Sequence, residues 1–136
     1  MTNLVEKILL IGFGILMVFS FFSIITPLIE TYNYANENQQ DFNEILINIE
    51  QINNAVKYVS ETNETYSSNI FIFENLRISI NQFHIDFIFL LDGIMKISKY
   101  YDVKLENQEY TLISQRLYNF TISQTSNNTY MIIFNP

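Results

Sequence analysis

His84 is the only histidine, and the chain has no cysteine. A structural or catalytic zinc needs several such ligands around it, so His84 does not read as a metal ligand. Its one acid neighbour is Asp86, two residues on and on the same face of a strand. That spacing does not make a working Ser-His-Asp relay by itself. The three glycines are Gly12, Gly14 and Gly93, so there is no Gly-rich loop to cradle a phosphate. Asp102, Glu106 and Glu109 lie close together but lack the oxygen-ligand spacing of a calcium loop. Tyr100, Tyr101 and Tyr110 offer an aromatic patch to a ligand, or a cap to a core. The residues therefore predict no catalytic, cofactor-binding or metal site and no cofactor, and the chain reads as a non-enzyme. Its net charge of −7 argues against nucleic acid, whose phosphates it would repel.

What must be positioned, then, is a surface rather than a reactive group. The element that dominates the chain is Ile8–Ile29, which carries no charged residue and lies between Lys7 and Glu30. As a helix it would be roughly 33 Å long, enough for a bilayer core of about 30 Å. It is longer than the apolar part of a cleavable signal peptide, and no A-x-A site follows it. It shows no polar face, as a buried soluble helix would. Gly12, Gly14, Ser20 and Ser23 are small enough for close helix packing. Pro27 is placed to kink the helix as it leaves the membrane. The expectation is a short cytoplasmic head, residues 1–7, and a transmembrane helix, 8–29. All that follows would lie outside as a cell-surface domain, with the lipid bilayer as first partner.

Beyond the anchor, residues 30–62 read as an amphipathic helix continuing it. Phe42, Ile45, Ile49, Ile52, Val56 and Val59 recur at alternating spacings of three and four, a helical seam. No Pro or Gly lies between Leu28 and Gly93 to stop the helix. The seam suits either packing on the protein's own sheet or self-association. From residue 65 to 136 the period changes to two. Leu76, Ile78 and Ile80 alternate with polar residues, and Phe83, Ile85, Phe87, Phe89 and Leu91 form a second alternating face. Asp92-Gly93 reads as a hairpin turn in which both positions tolerate positive φ. Further strands are expected at Ile94–Ile97, Val103–Leu105, Tyr110–Ser114, Leu117–Ser123 and Tyr130–Phe134, with a polar turn over Gln124–Asn128. The fold class is α+β: a long N-terminal helix packed on six or seven mostly antiparallel strands, as a small sandwich or a curved sheet. Three N-x-S/T sequons, at Asn63, Asn119 and Asn127, lie beyond the anchor and are possible N-glycosylation sites.

This layout resembles type IV pilins and their archaeal relatives: archaeal pilins, archaellins and archaellum accessory proteins. The stretch Asn43–Glu64 (NEILINIEQINNAVKYVSETNE), followed by a strand at Ile70–Phe73, is similar to the helix-to-strand passage of archaeal class III signal-peptide proteins. Asn3–Glu6 resembles the pilin start, and the resemblance implies that Glu6, fifth if Met1 is removed, would pair with a neighbour's terminal amine. It implies a structural subunit of a cell-surface filament, partnered by copies of itself or related subunits through the N-terminal helix. Filament-forming members carry a short basic leader cut before the apolar run. Glu6-Lys7 stands at that place here, which leaves a second expectation. The chain would then be a permanent single-pass envelope protein or filament accessory, stator-like or scaffold-like, that binds a partner outside the membrane.

Overall fold

A computed structural model describes residues 2–125 and 128–136. The elements run α1 (Thr2–Thr62), β1 (Tyr66–Ile72), β2 (Leu76–Asn81), β3 (His84–Leu90), β4 (Ile94–Tyr100), β5 (Lys104–Leu105), β6 (Gln108–Leu112), β7 (Arg116–Gln124) and β8 (Thr129–Asn135). The chain divides into two units, Met1–Glu37 and Asn38–Pro136. The fold is α+β, with the long N-terminal helix packed through its second half on two four-stranded sheets. The described residues form eight strands rather than six or seven. The strand expected at Val103–Leu105 is the two-residue β5, and the one expected at Ile70–Phe73 begins earlier, at Tyr66, and ends at Ile72.

The sheets have the orders β1-β7-β8-β5 and β4-β3-β2-β6. Every pairing is antiparallel except the short β5–β8 contact. Alternation decides what each strand buries. Tyr118, Phe120 and Ile122 of β7, Tyr130, Ile132 and Phe134 of β8, Leu76, Ile78 and Ile80 of β2, and Ile85, Phe87 and Phe89 of β3 all face inward. Phe120 and Phe134 stack with centroids 5.3 Å apart. Phe83 and Leu91, expected to extend the β3 face, lie outside it. Phe83 is exposed and Leu91 half-exposed, because the strand ends at Leu90 and the chain turns at both positions.

Residues 38–62 of α1 complete this core. Ile45, Ile49, Ile52, Val56 and Val59 are buried together with Ala55, and Phe42 packs half-buried with its ring 6.2 Å from that of Phe89. The helix ends without Gly or Pro. Asn63 takes φ 57°, and its amide donates to the Val59 carbonyl oxygen at 2.9 Å. Asparagine is one of the few non-glycine residues that tolerate this left-handed conformation. The β3–β4 hairpin closes where Asp92-Gly93 predicted, with Leu90 opposite Ile94. Neither Asp92 nor Gly93 uses a positive φ, however, so the turn does not draw on the property that suggested it.

Candidate functional site

In the first unit, the described side chains of the apolar segment are almost all exposed. From Ile8 to Ile29 the large apolar residues stand open, with Leu10 at 73% and Phe19 at 68% of full exposure. Each such side chain left in water forgoes roughly 1.5–3 kcal/mol. About fifteen of them amount to some tens of kcal/mol, more than the roughly 5–15 kcal/mol by which a domain is stable. This surface must be covered by something other than water. By length and composition the helix is suited to cross a membrane. Two of its polar side chains are satisfied locally: Ser23 Oγ donates to the Phe19 carbonyl oxygen at 2.9 Å, and Thr31 Oγ1 donates to that of Pro27 at 2.8 Å. Such internal pairing is what a lipid environment requires, and the helix continues through Pro27. Tyr32 and Tyr34, just past the apolar run, are exposed aromatics of the kind found where a helix leaves the bilayer. Periodicity alone did not single them out. Glu6 is also exposed.

In the second unit, the seam residues sit inside the fold, so this stripe is not presented to another chain. Polar residues of the helix then fasten it to both sheets. Asn48 Nδ2 donates to the Phe71 carbonyl oxygen at 2.8 Å, and its Oδ1 accepts from the Phe73 amide at 3.3 Å. Gln51 donates to the Asn69 carbonyl oxygen at 3.3 Å. Together they cap the open edge of β1, which would otherwise be a template for pairing with another strand. Toward the other sheet, Lys99 Nζ lies 2.6 Å from Glu50 Oε1, and the buried Tyr101 hydroxyl donates to Asn53 Oδ1 at 3.1 Å. The hydrogen bond from Lys99, then that from Asn53, holds the Glu50 carboxyl below its ordinary range. Asn48 and Asn53 sit beside the apolar seam in sequence, but their partners depend on the packing angle and could not be read from spacing.

The outer face of β2, β3, β4 and β6 gathers a cluster of titratable groups. Asp86 is buried there although it points away from the core. Its carboxylate accepts from Ser98 Oγ at 2.6 Å and pairs with Lys96 Nζ at 2.8 Å, with His84 Nε2 at 3.6 Å. His84 also meets Asn81 Nδ2 at 3.2 Å and lies against the Tyr100 ring. Burial pushes Asp86 upward, but the hydrogen bonds from Lys96 and Ser98 outweigh it and leave the carboxyl below its ordinary range. The serine hydroxyl is spent on the carboxylate and not on the imidazole, so the group forms a charge clasp and not an activated nucleophile. Glu109 pairs with Arg77 at 3.1 Å, and among the described residues no group of His, Asp or Glu is arranged to hold a metal ion.

Of the three tyrosines, Tyr101 is buried and Tyr110 half-buried with its hydroxyl 2.8 Å from the Ile132 carbonyl oxygen. Only Tyr100, 77% exposed, is available to a ligand. Asn63 is exposed, with Oδ1 accepting from the Tyr130 hydroxyl. Asn119 lies on the outer face of β7, where its Nδ2 donates to Asn69 Oδ1 at 3.3 Å. Asn127 and part of the expected Gln124–Asn128 turn lie outside the described residues. Comparison with protein-family models, with curated proteins and with solved structures gives no match to this chain.

Proposed function

We propose that this chain is a membrane-anchored structural subunit, pilin-like, that builds a cell-surface filament through residues 8–29. The observation that carries this reading is the division of labour along α1. Residues 38–62 are consumed by the core of their own unit, while Ile8–Ile29 leave a long apolar surface open. A helix apolar all round is covered either by lipid or by identical neighbours. One segment can serve both, as anchor before assembly and as filament core afterwards. Self-association then runs through 8–29 and not through the Phe42–Val59 seam. Glu6, at the head of the segment, is the group that would meet a neighbour's terminal amine. The domain after residue 37 lies on the outer side of the membrane, where Asn63 and Asn119 would be accessible for glycosylation. No chemistry is assigned to it.

A second reading, a permanent single-pass anchor with a partner outside the membrane, is supported by Tyr32 and Tyr34. Interfacial tyrosines fit a helix that stays in lipid better than one that leaves it.

Shearing surface filaments from cells and reading this chain's N-terminal peptide by mass spectrometry separates the two. Recovery in the sheared fraction is expected for a filament subunit. Recovery in the membrane pellet alone, with Met1–Lys7 intact, would remove the filament reading and leave the permanent anchor.

A further inference from the structure

The two outer faces of the β-rich unit differ in charge. On the β4-β3-β2-β6 sheet, Arg77 with Glu109 and Asp86 with Lys96 and His84 point outward. On the other sheet, Ser67 and Thr121, Asn69 and Asn119, and Phe71 and Leu117 stand outward as register pairs, with Ile133 next to Thr121 on β8. The outward positions of β1, β7 and β8 hold no charged residue. Arg116, the one charged residue of these strands, opens β7 opposite the buried Ile72, on the other side of the sheet. Lys104 of β5 lies only at the margin, opposite Thr129. Covering charged groups is costly, and this face asks for no such cost.

The polar groups of the face are spent on one another. Asn119 Nδ2 donates to Asn69 Oδ1 at 3.3 Å, and Thr121 Oγ1 donates to Asn119 Oδ1 at 3.3 Å. Ser67 Oγ lies 3.2 Å from Thr121 Oγ1, and since the threonine proton is already used, Ser67 is the donor there. Groups paired in this way lose little when water is removed. A sugar or a polar peptide would need donors and acceptors still free, and this ladder holds out few. Beside the ladder, Leu117 is 56% exposed, and the Phe71 ring meets that of Phe73 with centroids 5.3 Å apart. Depletion of charge around aromatic and aliphatic side chains is the composition of an interface core.

We propose that the outer face of β1, β7 and β8 packs against the same face of a second copy of this chain. Charge and area select that occupant. Each copy carries a net charge of −7, so two copies repel over much of their surface and least where neither presents a charge. A self-complementary contact about a two-fold axis sets the two faces together, with the sheets roughly 10 Å apart. Three strands over about seven residues cover only roughly 350 Å² in plan. That is less than the roughly 800 Å² per partner of a stable interface. The contact therefore forms between copies that residues 8–29 already hold side by side, where a high local concentration offsets the small area. The proposal rests on that association of residues 8–29, in a filament core or in lipid.

The absence of cysteine allows a direct test, because one engineered thiol reports one position. Thr121→Cys near the centre of the face, and Thr111→Cys on the outer face of the other sheet, would each be placed in the full chain in its native cells. A short bis-maleimide then joins thiols that lie close together. The expected result is a cross-linked dimer at position 121 several-fold above that at 111. Adding Leu117→Glu to Thr121→Cys should lower the dimer several-fold without changing the amount of chain, because Leu117 lies outside the core. Sheared filaments that contain the chain but show no excess at 121 overturn the inference and leave the filament reading intact. A dimer at 121 in chains found only in the membrane pellet removes the filament reading and keeps this contact. No excess at 121 in such chains removes both. An undiminished dimer with Leu117→Glu overturns the inference. So does a thiol at 121 shielded from soluble maleimide yet not cross-linked, since another molecule then covers the face. A glycan on Asn119 of the native chain overturns it too, because it would hold the copies apart.

Discussion

The Asn48 side-chain amide donates to the Phe71 carbonyl oxygen at 2.8 Å, joining the middle of α1 to the open edge of β1. With the return bond from the Phe73 amide, one helical residue satisfies two backbone groups of an edge strand. Asn48 is itself 2% exposed, so its alternatives to these bonds are few. Removing it strands a carbonyl and an amide that water reaches only in part. Asn48→Ala should lower stability by about 1–3 kcal/mol. Asn48→Asp, which loses the donor and adds a charge at a buried position, should cost more. Thermal unfolding of the full chain in detergent, followed by near-ultraviolet circular dichroism, reads both. A change within a few tenths of a kcal/mol for Asn48→Ala would mean that the edge is not held by this residue.

The two halves of α1 should respond unequally to one kind of substitution. Ile52 is fully buried and Ile15 is about half exposed. Ile52→Ala should destabilise the β-rich unit by about 2–5 kcal/mol, through lost transfer energy and the cavity left behind. Ile15→Ala should leave that unit's midpoint unchanged. The same unfolding experiment compares them directly, and equal effects would contradict the separation of the units.

A charge in the apolar segment should act on membrane attachment and not on folding of the second unit. Val18→Asp places a carboxylate near the centre of the run, where insertion costs about 2.5–3.5 kcal/mol. The expected outcome is partial release of the chain from the membrane fraction under alkaline extraction, while the second unit keeps its protease resistance. Full retention in the pellet would argue against a lipid-spanning role for residues 8–29.

Asp86 gives the fold an acid-sensitive contact. Its folded carboxyl is held below the ordinary value of 3.8 by Lys96 and Ser98 against the cost of burial. A depressed carboxyl stabilises the folded state fully above its unfolded value. That stabilisation is lost as pH falls through the lower, folded one. The loss attributable to Asp86 should therefore begin near pH 4 and grow below it. Asp86→Asn should be less stable near neutral pH yet lose less on acidification across that window. Parallel acid limbs for the two proteins would show that the clasp contributes nothing to pH dependence.

Much of this molecule is legible along the chain. The uncharged run Ile8–Ile29 declares itself because a helix length and a bilayer thickness are both set by geometry. The spacing of Phe42 to Val59 marks one face of a helix because 3.6 residues make a turn. The alternation in β2, β3, β7 and β8 marks strands because successive side chains point to opposite sides. These are local periodicities, and the sequence alone determined them. It also determined that reactive residue types are scarce, since one histidine and no cysteine leave few ways to build a reactive centre. What covers the Phe42–Val59 face was open in sequence, because the same stripe suits a sheet or a second helix. Only tertiary packing placed it in the chain's own core. Packing alone also set Asn48 on Phe71, gathered Lys96 and Ser98 around Asp86, and put Asn119 beside Asn69. Each joins residues at least ten positions apart, through strand register and the angle at which a helix crosses a sheet. Neither quantity is written in the order of the residues.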